Sequence, residues 1–353
     1  MKYYVCEQNE IVGGKYNAVS KARSDVESIL EEEKIKKFVM PTKYNQKNNK
    51  IKKLWQYINN NRIWNKEIKK LNEGSIIFIQ YPLNNITYKL NKIIKKYSKK
   101  NIKFIAIIHD MNSLRIDRKL VSYREYKRVK NEDKEILKEF TYIISHNAEM
   151  SKELIKLDCK PEKIINLEIF DYLVNDTVRD IERNKNMPVI IAGNLSSTKV
   201  GYLDKISNIS DVKFNLYGKG YDLKASENIE YKGAFLPEEL INNLDGGFGL
   251  VWDGTTDKTC DGKYGEYLRY NNPHKLSLYI VAQIPIITWE NAAISSFVKE
   301  NKIGICINSL DEISLKIKSI SDKEYDEFIK NEKKISEKMQ KGYFLKKSIE
   351  KIN

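Results

Sequence analysis

The sequence predicts an α/β protein with two Rossmann-like domains, whose parallel sheets face a ligand cleft. Short runs rich in isoleucine and valine alternate with helical segments, as is typical of strands buried on both faces of a parallel sheet. This alternation stops in a polar stretch and then starts again. A chain of 353 residues is also too long for one ordinary core. Two domains are therefore expected.

The first domain is predicted to span residues 1–175. A helix is expected from about Ala18 to Glu33, after a turn at Gly13 and Gly14. Either Asn147 or Ser151 should cap the helix after the last strand. The predicted strands are Lys2–Cys6, Lys37–Met40, Ile76–Gln80, Ile102–Ile108 and Thr141–Ser145.

The second domain is predicted to span residues 187–321, after a polar connector at 175–186. A capped helix is expected at Pro237. The Lys/Glu-rich segment 322–353 should be helical and pack back onto the first domain. The predicted strands are Val189–Ala192, Val212–Tyr217, Ile229–Lys232, Phe248–Trp252, Ile284–Thr288 and Gly304–Ile307.

Composition points to a cytoplasmic protein. No run reaches the ~18 apolar residues of a membrane span, and the opening MKYYVCEQNE lacks the apolar core of a signal peptide. The four cysteines show no CxxC or zinc-ligand spacing, so we expect reduced thiols and no metal.

The net charge of +14 leaves two interpretations open. A basic chain can bind nucleic acid or an acidic membrane surface. Here the lysines are spread through amphipathic segments such as Leu90–Lys103, which favours a simple compositional bias. No nucleic-acid-binding motif is present. We therefore expect no nucleic-acid partner, and at most a peripheral association with the inner face of the membrane.

The stretch 245–288 is the most informative part of the sequence. It runs as strand, long polar loop, helix start, apolar helix and strand, which is where a doubly wound domain holds a phosphate-bearing ligand. Asn272 precedes Pro273, which suits a first helical position. His274 and Lys275 then place two basic groups at the positive end of the helix dipole, and a bound anion would compensate for them.

Polar residues also follow the other strands of the second domain. Asn194, Tyr217 with Gly218, and Asp253 each stand at or just after a strand end. Tyr217 either lies against a nucleobase or sugar or only packs, since the chain has 22 tyrosines. The acidic loop 253–261 lacks the spacing of a calcium loop. Lysines and a helix dipole can hold a diphosphate without a metal.

In the first domain, His109 and Asp110 directly follow a buried strand. Either residue could act as a general base, with Asp110 alternatively orienting the ring. The simpler alternative is that His109 only satisfies a strand-end hydrogen bond. Gly13 and Gly14 would let an acceptor approach the backbone closely.

Several blocks carry a family resemblance: GSIIFIQYP (74–82), KFIAIIHD (103–110), VIIAGNLS (189–196), FNLYGKG (214–220), GGFGLVWDG (246–254) and GEYLRYNNPHKLSLYIVAQIPIIT (265–288). They resemble bacterial GT-B glycosyltransferases of the galactofuranosyltransferase type. More distantly, the chain is similar to the glucosyltransferases that extend N-acetylglucosamine on streptococcal serine-rich-repeat adhesins.

The resemblance implies a UDP-sugar co-substrate in the C-terminal domain, an acceptor in the N-terminal domain, and no cofactor. Tyr217 and Lys275 match positions that contact UDP. The donor-binding set is then Asn194, Ser197, Lys199, Tyr217, Gly218, Asp253, Asn272, Pro273, His274, Lys275 and Ser277. His109 and Asp110 are the catalytic candidates, and Gly13 and Gly14 the acceptor-side ones.

The function expected from this resemblance is metal-independent, inverting transfer of a hexose to a glycan, glycolipid or glycoprotein in cell-surface polysaccharide synthesis. The long insertion WDGTTDKTCDGKYGEYLRYNNPH favours galactofuranose as the sugar. Glucosyl transfer in protein glycosylation and a non-catalytic partner subunit are the alternatives. A homo-oligomer is also expected.

Overall fold

The computed structural model of the chain describes residues 1–7, 18–40, 50–83, 89–174, 178–179, 181–222 and 226–352. These residues divide into two compact units. The first consists mainly of Val26–Leu167, with the first strand and the residues from Lys346 onward. The second consists mainly of Glu168–Leu345, with the beginning of the first helix.

The first unit contains a six-stranded sheet in which every neighbouring pair is parallel, in the order β2-β1-β3-β4-β5-β6. Its strands are β1 Lys2–Glu7, β2 Lys36–Met40, β3 Ile76–Tyr81, β4 Lys103–Ile108, β5 Tyr142–Ser145 and β6 Ile164–Asn166. Its helices are α1 Ala18–Glu32, α2 Lys50–Ile68, α3 Leu90–Ser98, α4 Asn112–Arg115, α5 Tyr123–Leu137 and α6 Ala148–Lys156.

The second unit repeats this parallel architecture in the order β12-β11-β10-β7-β8-β9. Its strands are β7 Val189–Asn194, β8 Phe214–Lys219, β9 Ile229–Gly233, β10 Phe248–Val251, β11 Ile286–Trp289 and β12 Gly304–Ile307. The helices from here to the end of the chain are α7 Ser197–Val200, α8 Leu203–Ile206, α9 Pro237–Asn243, α10 Gly262–Gly265, α11 His274–Val281, α12 Ser295–Asn301, α13 Ile313–Ser319, α14 Asp322–Met339 and α15 Tyr343–Glu350.

The predicted fold class, with two parallel Rossmann-like sheets, is confirmed. The continuous apolar runs are central strands such as β3 and β4, which are buried along almost their whole length because helices cover both faces. Asn147 caps α6, accepting a hydrogen bond from the Met150 amide at 3.0 Å. Among the described helices, none is both long enough and apolar enough to cross a membrane.

Three local features differ from the sequence predictions. The three-residue strand β6 was missed, because so short a run has no periodicity of its own. The final segment forms two helices, with Gly342 between them in a left-handed conformation at φ +68°. Pro273 is the N-cap of α11 rather than its first helical residue, and has extended backbone angles.

Helix α11 begins at the strand ends of the second unit and is buried along most of its length. Every residue from Leu276 to Val281 is buried. The Tyr279 hydroxyl accepts a hydrogen bond from the Ala192 amide in β7 at 2.9 Å. A Cβ at Gly249 in β10 would lie 2.4 Å from the Tyr279 ring, so glycine permits this close approach. These contacts fix the helix, and with it the position of its N-terminus.

Helix α14 packs against α11 and buries an acidic side chain, Glu332. This residue has no exposed surface, and within the described part of the chain neither carboxyl oxygen has a hydrogen-bond partner. Burial raises the pKa of Glu332 well above its usual range, although the positive charge of Arg183 acts in the opposite direction. The Arg183 guanidinium itself donates to the carbonyls of Gly246 and Leu244. Glu332 therefore stays protonated to a higher pH in the native state than in the unfolded chain.

Replacing Glu332 with glutamine is expected to make the free energy of unfolding less dependent on pH. The native state keeps this carboxyl protonated to a higher pH than the unfolded chain does, which ionises it above about pH 4.5. Protonation of Glu332 therefore contributes its full stabilisation below that pH. Above it, the free energy of unfolding of the wild type falls by about 1.4 kcal/mol per pH unit until the pH reaches the native pKa. The neutral glutamine avoids this loss.

Urea unfolding at a series of pH values measures the effect. Glu337→Gln, which changes an exposed carboxylate on the same helix, is the control and should follow the wild type. Parallel pH curves for the wild type and Glu332→Gln would contradict the prediction.

Candidate functional site

The candidate site in the second unit is a cluster of two lysines around one aspartate. The Lys275 ammonium lies 3.0 Å from Asp253 Oδ1, and the Lys199 ammonium lies 3.7 Å from Asp253 Oδ2. The side chains of Asp253 and Lys275 are only 6% and 11% exposed, and that of Lys199 is 24% exposed. One carboxylate neutralises one of the two lysines, so the cluster retains a positive charge.

Burial dominates the electrostatics of Lys275. It lowers the pKa of the ammonium, and the Lys199 charge adds to this, while the Asp253 carboxylate opposes it. An ammonium in this position is costly to desolvate and has one counter-ion, which it shares with Lys199. A second anion at the cluster would relieve the repulsion between the two lysines. The site is therefore suited to a phosphate-bearing ligand.

Three chain segments position the cluster at the carboxyl ends of β7 and β10. Lys199 lies on α7, directly after β7; Asp253 follows β10; and Lys275 lies in the first turn of α11. The Gly254 amide donates to the Lys199 carbonyl at 2.8 Å, which joins the first two segments. This is the strand edge at which doubly wound sheets bind ligands.

The loop after Asp253 is held by Asp261. Its carboxylate accepts hydrogen bonds from the Thr255 amide at 2.5 Å and the Thr255 hydroxyl at 2.8 Å. A Cβ at Gly254 would lie 2.4 Å from the same carboxylate, and the φ of +138° at this position is one that side chains disfavour. Asp261 therefore orders the loop.

Gly218 stands beside Gly193 where β8 and β7 end. Gly218 has a φ of +144°, and a Cβ there would lie 1.7 Å from the Gly193 carbonyl oxygen. The two strands can pair this closely at Gly193 and Gly218 because Gly218 has no side chain. The Asn194 side chain accepts from the Ser196 amide at 2.9 Å and so shapes the next turn, and Ser197 opens α7 with its side chain exposed.

Tyr217 is almost fully buried. Its hydroxyl accepts a hydrogen bond from the Asp245 amide at 2.9 Å, and its ring lies 6.2 Å from that of Phe235. These contacts are those of a packing residue. Contact between Tyr217 and a nucleotide stays a prediction of the family resemblance.

Asn272 and Ser277 hold the chain that enters the second unit. The Asn272 amide donates to the Glu168 carbonyl at 3.0 Å, and the Ser277 hydroxyl donates to the Phe170 carbonyl at 2.8 Å. Both side chains thus attach the segment 168–170 to α11. Their predicted contacts with a donor, like that of Pro273, stay predictions.

His274 does not add a second cation to the helix start, and that expectation was wrong. Its side chain is partly buried, with Nε2 shielded from solvent, and its ring stacks on that of Tyr172 with centroids 5.0 Å apart. Burial lowers the pKa of His274 to about 3, and the positive charge of Lys21 lowers it further. The imidazole is therefore neutral, and within the described residues its Nε2 has no partner. The positive charge of the site comes from Lys275 and Lys199.

In the first unit, His109 and Asp110 lie where β4 ends, as predicted. His109 Nε2 is 2.7 Å from Gln80 Oε1, and the His109 amide donates to the Tyr81 carbonyl at 2.7 Å. The Asp110 carboxylate pairs with Arg115 at 2.6 Å while staying partly exposed. Gln80 thus orients the imidazole and Arg115 orients the carboxylate.

Sequence reasoning missed Gln80 and Arg115. A signal for Gln80 was available, because it is a polar residue near the end of an apolar strand. Behind the site, the Asp133 carboxylate accepts from the Tyr81 hydroxyl at 2.7 Å and the Ser113 amide at 2.8 Å, which secures the loop after β4.

Two further expectations concern acceptor and metal binding. Gly13 and Gly14, the predicted acceptor-side residues, lie outside the described residues. Over the ranges that are described, the acidic, histidine and cysteine side chains form no group of three or more that could hold a metal ion.

Two parallel Rossmann-like units, with a basic site at the strand ends of the second, define the GT-B class of glycosyltransferase fold. The lipopolysaccharide outer core galactosyltransferase WaaB, in its apo form, has a similar fold. The TM-score is 0.60 at 11% sequence identity, over 100% of this chain and 99% of that one.

Sequence comparison then identifies the family. The N-terminal and C-terminal domains of the Glucosyltransferase 3-like family match residues 2–169 and 189–352. The chain belongs to this family of glycosyltransferases, as its motifs predicted.

Two relatives illustrate the relationship. The chain is 38% identical to the Beta-1,6-galactofuranosyltransferase WbbI of Escherichia coli (strain K12) over 216 residues. That match covers 60% of this chain and 62% of WbbI, so it spans less than two thirds of the relative. The chain is also 22% identical to Glucosyltransferase 3 of Streptococcus parasanguinis over 291 residues, which is 78% of each chain.

Proposed function

We propose that this protein transfers a hexose, with galactofuranose favoured, from a UDP-sugar to a hydroxyl of a glycan acceptor. The observation that carries the proposal is the buried cluster of Lys275, Asp253 and Lys199 at the start of α11. Its excess positive charge lies where a diphosphate is held in folds of this kind. The higher identity to a galactofuranosyltransferase than to a glucosyltransferase supports the choice of sugar.

The proposed reaction is a direct displacement. The acceptor oxygen forms a bond to the anomeric carbon of the donor sugar as the bond from that carbon to the diphosphate breaks. UDP leaves with its negative charge stabilised by Lys275, Lys199 and the N-terminus of α11. His109 or Asp110 takes the proton of the acceptor hydroxyl. The lysines provide the charge stabilisation, so we propose that the enzyme needs neither a metal nor a cofactor.

Replacing Lys275 with methionine is expected to weaken UDP binding by about 10-fold to 100-fold, the usual loss for a charge-assisted hydrogen bond. Isothermal titration calorimetry measures the affinity, and a thermal unfolding curve checks the fold. Lys263→Met is the matched control, because this nearby lysine is exposed and makes no contact with Asp253. An unchanged affinity in Lys275→Met would remove the phosphate role.

His109→Ala and Asp110→Ala separate the two candidate bases. The variant that loses the base should transfer sugar about 100-fold to 10,000-fold more slowly and still bind UDP with wild-type affinity. A residue that only orients its neighbour should cause a smaller loss. Turnover and calorimetry on the same preparations test this, and full turnover in both variants would exclude both assignments.

A glucosyltransferase is the second candidate, supported by the longer match to Glucosyltransferase 3. In this alternative, the protein would transfer glucose from UDP-glucose to N-acetylglucosamine on a serine-rich-repeat adhesin. Hydrolysis of a panel of UDP-sugars separates the candidates: we expect UDP-galactofuranose to be used faster than UDP-glucose. The reverse order would favour the adhesin reaction, and UDP binding with no turnover of any donor would favour a non-catalytic subunit.

We further propose that the protein is a cytoplasmic homo-oligomer that associates peripherally with the inner face of the membrane. The net charge of +14 supports attraction to acidic lipids. Sedimentation velocity measures the oligomeric state.

A further inference from the structure

An apolar surface is exposed on the first two turns of α2. The side chains of Ile51, Leu54 and Trp55 are 69%, 48% and 63% exposed. Spacing by three and four residues places them on one face of the helix. The other side of the helix packs on the unit through Trp64 and Ile68, which are buried. The C-terminal half of α2 therefore packs on the unit, while the apolar side chains of its first two turns are exposed to solvent.

A second exposed apolar site lies at the start of α5. Leu120 and Tyr123 are 82% and 77% exposed. The crossovers from β2 to β3, β3 to β4 and β4 to β5 all advance in the same direction across the sheet, so right-handed connections place α2, α3 and α5 on one face. A hydrogen bond of 2.8 Å between Lys96 of α3 and Asn65 of α2 agrees with this arrangement.

The two sites also share one edge of the sheet. Each helix in a parallel α/β unit begins beside the carboxyl ends of the strands. The starts of α2 and α5 therefore lie on the same face and at the same edge of the first unit. Helix α3 packs against both α2 and α5, so the two sites are separate parts of this face. We call them together, Ile51, Leu54 and Trp55 with Leu120 and Tyr123, the apolar patch.

The surroundings of the apolar patch are strongly basic. Residues 50–70 contain seven lysines and arginines against one glutamate, and residues 115–130 contain seven against two acidic residues. The exposed members include Arg62, Lys66, Lys119, Arg124 and Lys127. The single acid of α2, Glu67, pairs with Lys70.

This combination identifies the kind of partner. Contact surfaces between proteins are depleted of lysine. A helix that combines tryptophan, leucine and isoleucine with a lysine-rich border is typical of segments that lie in the interface of an acidic membrane. The charge complementarity therefore favours lipid over protein.

We propose that the first unit binds the surface of an anionic lipid bilayer through the apolar patch. Trp55, Leu54 and Ile51 enter the headgroup region, and the surrounding lysines and arginines contact lipid phosphates. This proposal locates on the molecule the peripheral association inferred above from net charge, and it is independent of sugar transfer.

Tryptophan fluorescence tests the proposal on the full chain. Of the four tryptophans, Trp64, Trp252 and Trp289 are at most 1% exposed, so a change in polarity at the surface is reported by Trp55. Vesicles of equal parts phosphatidylglycerol and phosphatidylcholine should shift the emission to shorter wavelength and sediment the protein, and salt should reverse both effects. Vesicles of phosphatidylcholine alone should do neither.

Variants then place the contact on the patch. Ile51→Ser combined with Leu54→Ser keeps the fluorescent probe, and should lower the partition coefficient by about 10-fold or more. Arg62→Gln combined with Lys66→Gln should lower it by about 5-fold or more, with the larger effect at low salt. Leu315→Ser, which removes a leucine that is 74% exposed on α13, should change nothing.

The proposal is overturned if anionic vesicles leave the emission unchanged, or if the Ile51/Leu54 variant binds them as well as the wild type does. An oligomer that the same variant dissociates, together with no vesicle binding, would assign the apolar patch to a second copy instead. Hydrolysis of UDP-sugars in solution tests the transferase proposal separately from the membrane proposal. Hydrolysis without vesicle binding refutes the membrane surface alone, and vesicle binding without use of any UDP-sugar refutes the transferase alone.

Discussion

The burial of α11 is the constraint on which the candidate donor site depends. Its apolar body is enclosed along its length, with Tyr279 bonded to β7 and pressed against Gly249 of β10. Interiors this dense leave no alternative position for the helix. The first turn must then stand at the strand ends, and Lys275 must reach Asp253. An apolar helix thus determines the position of a charged group.

The cluster itself is poorly explained as a source of stability. A buried ion pair gains little over well-packed apolar side chains, because desolvation offsets most of its Coulomb energy. A second lysine on the same carboxylate adds repulsion. An arrangement that is unfavourable in the empty protein becomes favourable when an anion joins it, which is the expected signature of a binding site rather than of a structural contact.

Most of the fold, and part of the site, could be predicted from the sequence. The strands were recognisable because buried parallel strands are apolar throughout, and Lys275 was recognisable because its segment follows the pattern of a helix start. The charge of His274 was not predictable, since the ring that covers it belongs to Tyr172, which is far away in sequence. The partnership of His109 with Gln80 likewise depends on β3 and β4 being neighbours, which single-sequence patterns do not specify.

The close approach of β7 and β8 has a consequence for how such enzymes diverge. Any substitution of a glycine adds at least a Cβ atom. At Gly218 this atom would clash with the Gly193 carbonyl oxygen. Position 218 is thus closed to any larger residue. Between β10 and α11, by contrast, hydrogen bonds from Thr255 to Asp261 brace the loop from within. New substrate preferences can therefore be expected to accumulate in that loop during evolution, while Gly218 stays constant.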